Sequence, residues 1–171
     1  MVSSKIRELQ KKVGYKFKVR KHLTRALTHP TFSEEERKKK VDPRDLPHQQ
    51  AYSTLGDAVL KTGLILLLMD KKKETKGDIT ILKADFENNL KLANVGNRLK
   101  LLENDLILHT IKNQKKKEEA SEKMLADTVE AIIGAIFIDS KYSMNKTIKC
   151  IRKIFSQELD DLEKGIPLSE K

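Results

Sequence analysis

The chain has one cysteine, Cys150, in 171 residues. That excludes an internal disulfide framework and a cysteine-based zinc site, and leaves Cys150 as a small core residue. Tryptophan is absent and aromatics make up 5%, too few to build stacking platforms for single-stranded bases. Apolar runs are short. The longest, Thr62 to Met69, falls well below the ~20 residues that cross a bilayer. The segment Met1 to Glu8 carries charges where a leader peptide needs an apolar stretch. The expectation is a soluble protein of a reducing compartment, cytoplasmic, with no membrane partner. Several catalytic patterns are missing as well. There is no G-x-x-x-x-G-K-[ST], no H-E-x-x-H and no G-x-S-x-G. None of His22, His29, His48 or His109 follows a glutamate by three residues, so the di-iron bundle motif is absent.

What is present is positive charge. Lysine and arginine exceed aspartate and glutamate by ten, with a pI near 9.6. Such a balance favours a polyanionic partner. The same lysine and glutamate enrichment also fits a heat-adapted or compositionally biased surface, so charge alone leaves both readings open. The length suits about one domain. With 38% hydrophobic and 35% charged residues, the chain is too apolar for a disordered tail and too polar for a membrane protein.

The hydrophobic spacing is helical throughout, and no segment reads as a strand. Ile6, Leu9 and Val13 open a first helix that Gly14 stops. Leu23, Ala26 and Leu27 mark a second, ending near Pro30. Residues 33–50 read as a surface loop that can hold a turn of helix. A long apolar helix is expected from Gln49 to Met69. Another, capped by Asp78 or Thr80, is expected to run to Leu99. A second apolar helix is expected over Glu122 to Ile138, preceded by a polar stretch from Lys112. Ser143 or Asn145 caps a last helix that buries Ile148, Ile151, Ile154 and Phe155.

Two of these helices are physically unusual. Between Asp45 and Asp70 the charged residues are Asp57 and Lys61 alone; between Lys123 and Asp139 they are Asp127 and Glu130 alone. Apolar on nearly every face, both helices belong in the centre of the fold. A carboxylate in such a helix is costly unless paired, hydrogen-bonded or bound to a cation. Asp127 and Glu130 share a face, and Asp57 could meet them if the helices pack together. Gly56 and Gly134 would let the backbones approach. Three converging carboxylates suit magnesium or manganese. The plainer alternative stays open: Asp57 and Lys61, four residues apart, could simply neutralise each other.

At these residues the sequence resembles the ribonuclease III family. The run Leu55-Gly56-Asp57-Ala58-Val59-Leu60 is similar to the core of that family's signature helix. The run from Leu125 to Asp139 resembles its second acidic motif, with Asp127 and Glu130 at the family's spacing. Weaker likenesses cover Gly14 to Phe17, Ala26 to Pro30 and Gly77 to Ala93. The resemblance spans Lys5 to Phe155. It implies an all-α endonuclease domain over 1–155, followed by a helix end and polar tail over 156–171. It also implies a symmetric homodimer that cuts double-stranded or structured RNA with Mg2+, or Mn2+, to 5′-phosphate and 3′-hydroxyl ends. By motif match Asp57 and Glu130 would be direct metal ligands, and Asp127 would act in the same cluster through water.

The chain departs from the family pattern at three positions. Most members carry a glutamate four residues before the motif aspartate, and here that position is Ser53. A second glutamate is replaced by Gln50, and an aromatic that packs the dimer by Thr54. A compact branch, mini-ribonuclease III, also lacks the first glutamate and still cleaves. Like that branch, this chain is expected to carry no double-stranded-RNA-binding domain after Phe155. The resemblance therefore admits two functions: an RNA-processing endonuclease, with Ser53 bonding through water at the metal, or a catalytically weakened RNA-binding scaffold. RNA contacts are expected at the lysine runs Lys71, Lys72, Lys73 and Lys115, Lys116, Lys117, with Lys76 and Lys83 near the third long helix. Solvated loops are the alternative for each run.

Overall fold

The two apolar helices with sparse charge lie against each other at the centre, as their composition requires. In the computed structural model, which describes residues 2–33, 47–71, 75–103, 106–108 and 114–164, they are α3 (Gln50–Asp70) and α6 (Gln114–Asp139). Side chains of residues 2–3 and 114–121 are outside that description. Among the described residues the other full helices are α1 (Val2–Val13), α2 (Arg20–Ala26), α4 (Lys76–Glu87), α5 (Asn89–Arg98), α7 (Met144–Ile154) and α8 (Ser156–Glu163), and residues 30–33 are helical as well. The architecture is all-α. Among the described residues the extended pairing is a single parallel bridge between Thr28 and Leu108.

Helix α6 is the axis. It makes its most extensive contact with α3, then with α5 and α2. Val129, Ala131, Ile132, Ile133, Ala135 and Ile136 are all fully buried along it, so it has apolar neighbours on every side. Helix α3 has the length and mean hydropathy, 1.3, of a bilayer span. The fold uses it as a core helix, burying Leu60, Leu64, Leu67 and Leu68.

Several ends have identifiable chemical causes. Helix α1 stops at Gly14, whose φ of +73° only glycine adopts freely. The Ser143 hydroxyl caps α7 by accepting from the Lys146 amide. Asp139, at the end of α6, accepts from the Tyr15 hydroxyl at 2.8 Å and from the Lys18 and Val19 amides at 2.9 and 2.8 Å. That carboxylate ties the turn after α1 to the helix carrying Asp127 and Glu130.

Three expectations are corrected. The helix predicted to continue to Leu99 breaks at Asn88, which takes extended dihedrals and caps α5 through its side chain, accepting from the Leu90 amide. Asparagine competes with the helical backbone for its own hydrogen bonds. The cap of α4 is Thr75 rather than Asp78 or Thr80: Thr75 accepts from the Asp78 amide and donates to the Asp78 carboxylate. Helix α6 begins at Gln114, inside the stretch read as polar. Beyond Phe155 the chain forms a separate helix, α8, with Leu159 buried. Its Glu158 is buried against Arg98 in a two-pronged ion pair, at 2.6 and 2.8 Å.

Candidate active site

The site lies where α3 crosses α6, and two glycines set the crossing. A methyl group added at Gly56 would stand 1.8 Å from the Glu130 carbonyl oxygen; one added at Gly134 would stand 2.2 Å from the Tyr52 carbonyl oxygen. No side chain fits at either position, so the backbones meet directly. Register along the crossing is held by Gln49, buried at the head of α3. Its side-chain amide lies 3.1 Å from the Thr128 hydroxyl, which also bonds to the Met124 carbonyl at 2.6 Å. Tyr52, on the next turn, is fixed by the His22 ring at 2.7 Å and by the Arg25 guanidinium over its face.

This close approach brings Ser53 onto Glu130. The serine hydroxyl donates to Glu130 Oε2 at 2.8 Å. Glu130 is half-buried, and its carboxyl titrates above the ordinary value of 4.5. Burial is the main cause. The Ser53 hydrogen bond opposes the shift, while the negative charges of Asp57 and Asp127 add to it.

All three predicted acids therefore gather round one crossing, yet they do not close into a single cluster. Asp57 Oδ2 accepts from the Lys61 ammonium at 2.7 Å, and Asp127 from Lys123 at 3.3 Å. Among the described residues no three His, Cys, Asp or Glu side chains form a group able to hold a metal ion as they stand. Like charges separate, and each aspartate has a lysine one turn away on its own helix. The donor chemistry nonetheless suits a hard divalent cation: three carboxylates and a hydroxyl, all oxygen. A cation beside Glu130 would also offset the burial and repulsion that now oppose its ionisation. These residues fit such an ion.

The predicted RNA-contact lysines divide. Lys76 is exposed at the head of α4. Lys83 pairs with Glu87 at 2.9 Å, and Lys71 with Glu163 on α8. Lys72 and Lys73 lie outside the described residues, as do the side chains of Lys115, Lys116 and Lys117. Sequence reasoning missed two features. It did not foresee that Ser53 would bond to Glu130. It also did not foresee Glu87, whose field reaches Lys61 from α4. No motif marks Glu87.

The Ribonuclease-III-like family model matches residues 20–158. Ribonuclease 3 of Campylobacter jejuni is 31% identical over 155 residues, covering 89% of this chain and 63% of that protein. Ribonuclease 3 of Acinetobacter baylyi is 34% identical over 161 residues, covering 91% of this chain and 62% of the relative. The chain thus spans less than two thirds of the length of these relatives. Among solved structures, the nuclease domain of the Campylobacter jejuni ribonuclease III superimposes with a TM-score of 0.69 at 30% identity, over 88% of this chain and 99% of that one. That structure is described for flexibility in a region involved in dimer formation.

Proposed function

We propose, because this chain belongs to the Ribonuclease-III-like family, that it is a divalent-metal-dependent endoribonuclease domain cleaving double-stranded or structured RNA to 5′-phosphate and 3′-hydroxyl ends. The observation that carries this reading is the placement of Glu130, half-buried with its ionisation opposed, beside Asp57 and Asp127 at a glycine-set crossing. Magnesium or manganese held by Glu130 and Asp57, with Asp127 adjoining, would polarise the scissile phosphate, activate a water and neutralise the leaving 3′ oxygen.

The protein's own part is positioning. Ser53 aims Glu130, and the Gln49–Thr128 contact joins the two helices beside it. Lys76 offers a charge to phosphates and 2′-hydroxyls across a duplex minor groove. A two-fold homodimer is part of the proposal. It is supported by the dimer-forming region described for the Campylobacter nuclease domain, and by Leu66 and Met69, apolar side chains that α3 leaves exposed. A cytoplasmic location is part of the proposal.

One observation favours the scaffold reading: a hydroxyl, Ser53, stands where the family places a carboxylate, so the site has less charge to hold a cation. Incubating the purified chain with labelled duplex RNA, with magnesium, manganese or a chelator, separates the two. Metal-dependent cuts with 5′-phosphate ends support the enzyme. Duplex binding without cleavage at saturating manganese selects the scaffold.

A further inference from the structure

Lys61 is the one cation on α3, and three carboxylates act on it. Its ammonium touches Asp57 at 2.7 Å. Glu130 on α6 and Glu87 on α4 also exert their fields on it. Glu87 is only half-satisfied. Its Oε2 accepts from Lys83 at 2.9 Å, while its Oε1 is buried and has no hydrogen-bond partner among the described residues. A buried carboxylate oxygen left unpaired is a standing penalty. An ammonium, for its part, has three donors, and among the described residues the bond to Asp57 is the one that Lys61 makes. Helices α3 and α4 are in contact.

Resting on the metal reading above, we propose that Lys61 is a built-in counter-ion. It holds Asp57 until a divalent cation takes that carboxylate, and then passes to the unpaired oxygen of Glu87. The two ends of this transfer differ in the needed direction. The Asp57–Lys61 pair is partly solvated, with side chains 38% and 42% exposed, and such pairs are weak. The Glu87 oxygen is buried and gains a partner it lacks. An ammonium left beside Asp57 would repel an arriving cation; moved to Glu87, it would not. Lys61 is a positioning residue in this scheme and touches no substrate.

The test is a manganese titration of the whole, metal-free chain, following free Mn2+ by electron paramagnetic resonance. The variants are Lys61→Met, Glu87→Gln and the pair together. Lys61→Met should bind Mn2+ about 3–10-fold more tightly, because a competing charge is gone. Glu87→Gln should bind it about 3-fold more weakly in the parent and equally well in the Lys61→Met background. That non-additivity is the signature of transfer between the two. Lys61 is near the surface, so its arm survives even if Glu87→Gln perturbs the fold. Unchanged or weaker binding by Lys61→Met, with Asp57→Asn still lowering affinity, overturns the counter-ion and leaves the metal site standing. Additive effects of the two substitutions overturn the transfer to Glu87. Manganese binding indifferent to both Asp57→Asn and Glu130→Gln removes the site and the inference with it.

Discussion

Ser53 donates a hydrogen bond to Glu130 across the closest approach of two helices, from a position 77 residues away in sequence. By its resemblance to the family's signature helix, the serine stands where most members carry a glutamate. A second carboxylate 2.8 Å from Glu130 would face a like charge, so the hydroxyl is the stable choice in the absence of a cation. It steadies the ionised form of Glu130 against the burial that opposes it.

Replacing Ser53 separates stability from cation binding. Ser53→Ala should cost about 1 kcal/mol, the net value of one hydrogen bond, and push the Glu130 carboxyl further up. Ser53→Glu should lower the melting temperature in chelator and raise it more steeply than the parent as magnesium is added. Thermal melts across a magnesium series check both. A Ser53→Glu protein that is destabilised and indifferent to magnesium would show that residue 53 does not address the cation.

Glu130→Gln and Asp57→Asn keep side-chain volume while removing a proposed ligand. Each should lower cleavage by roughly a hundredfold or more, the scale on which lost electrostatic stabilisation is felt. Duplex binding, measured by gel shift in calcium or chelator, should persist. Cleavage at the parent's rate by either variant would show that the reaction centre lies elsewhere.

Two carboxyls give pH dependences of opposite sign. Glu130 titrates above 4.5, chiefly because it is buried. Its protonated form suits the fold, so its contribution is full below 4.5 and is lost as pH rises through the raised native value. Asp139 titrates below 3.8 despite its burial, because the Lys18 and Val19 amides and the Tyr15 hydroxyl bond to the ionised form. Its contribution is full above 3.8 and is lost as pH falls through the lowered native value. In metal-free buffer, Glu130→Gln should therefore remove a decline in melting temperature above pH 4.5. Asp139→Asn should remove a decline below pH 3.8. Melting curves between about pH 2 and pH 8 resolve the two.

Gly56→Ala tests the crossing itself. The added methyl meets a carbonyl oxygen 1.8 Å away, on backbone that cannot rotate aside. The helices must part, at a cost of about 3 kcal/mol or more. The Ser53–Glu130 bond should break with them. Gly77→Ala, where the methyl meets nothing within 4 Å, is the control and should leave the melting temperature nearly unchanged.

How much was legible in advance depended on how each feature is encoded. The central helices are readable because Asp57, Lys61, Asp127 and Glu130 are conspicuous against an apolar background, and Gly56 and Gly134 mark where backbones touch. The partner of Ser53 is not readable. A hydroxyl's acceptor depends on how α3 is rotated against α6, and sequence spacing along one helix does not carry that angle. Glu87 reaches Lys61 from a different helix with no motif around it. The start of α6 is hidden because Gln114 to Lys123 is polar on every face, so no apolar period announces a helix. The break at Asn88 falls within a run of periodic leucines, and there the local chemistry of the asparagine side chain prevailed over the pattern.

Helix α3 has the hydropathy of a bilayer span, and its cover, α6, is made only after the chain between Asp70 and Gln114 has been synthesised. At ~5–20 residues per second that interval is on the order of seconds. Throughout it the nascent chain carries an uncovered helix long and apolar enough, by length and composition, to cross a membrane. The charges at Asp57 and Lys61 weigh against that outcome, since an aspartate or lysine near the middle of such a helix opposes insertion by about 2.5–3.5 kcal/mol. The residues proposed to manage a cation in the folded protein thus also make α3 a poorer membrane segment before its cover exists.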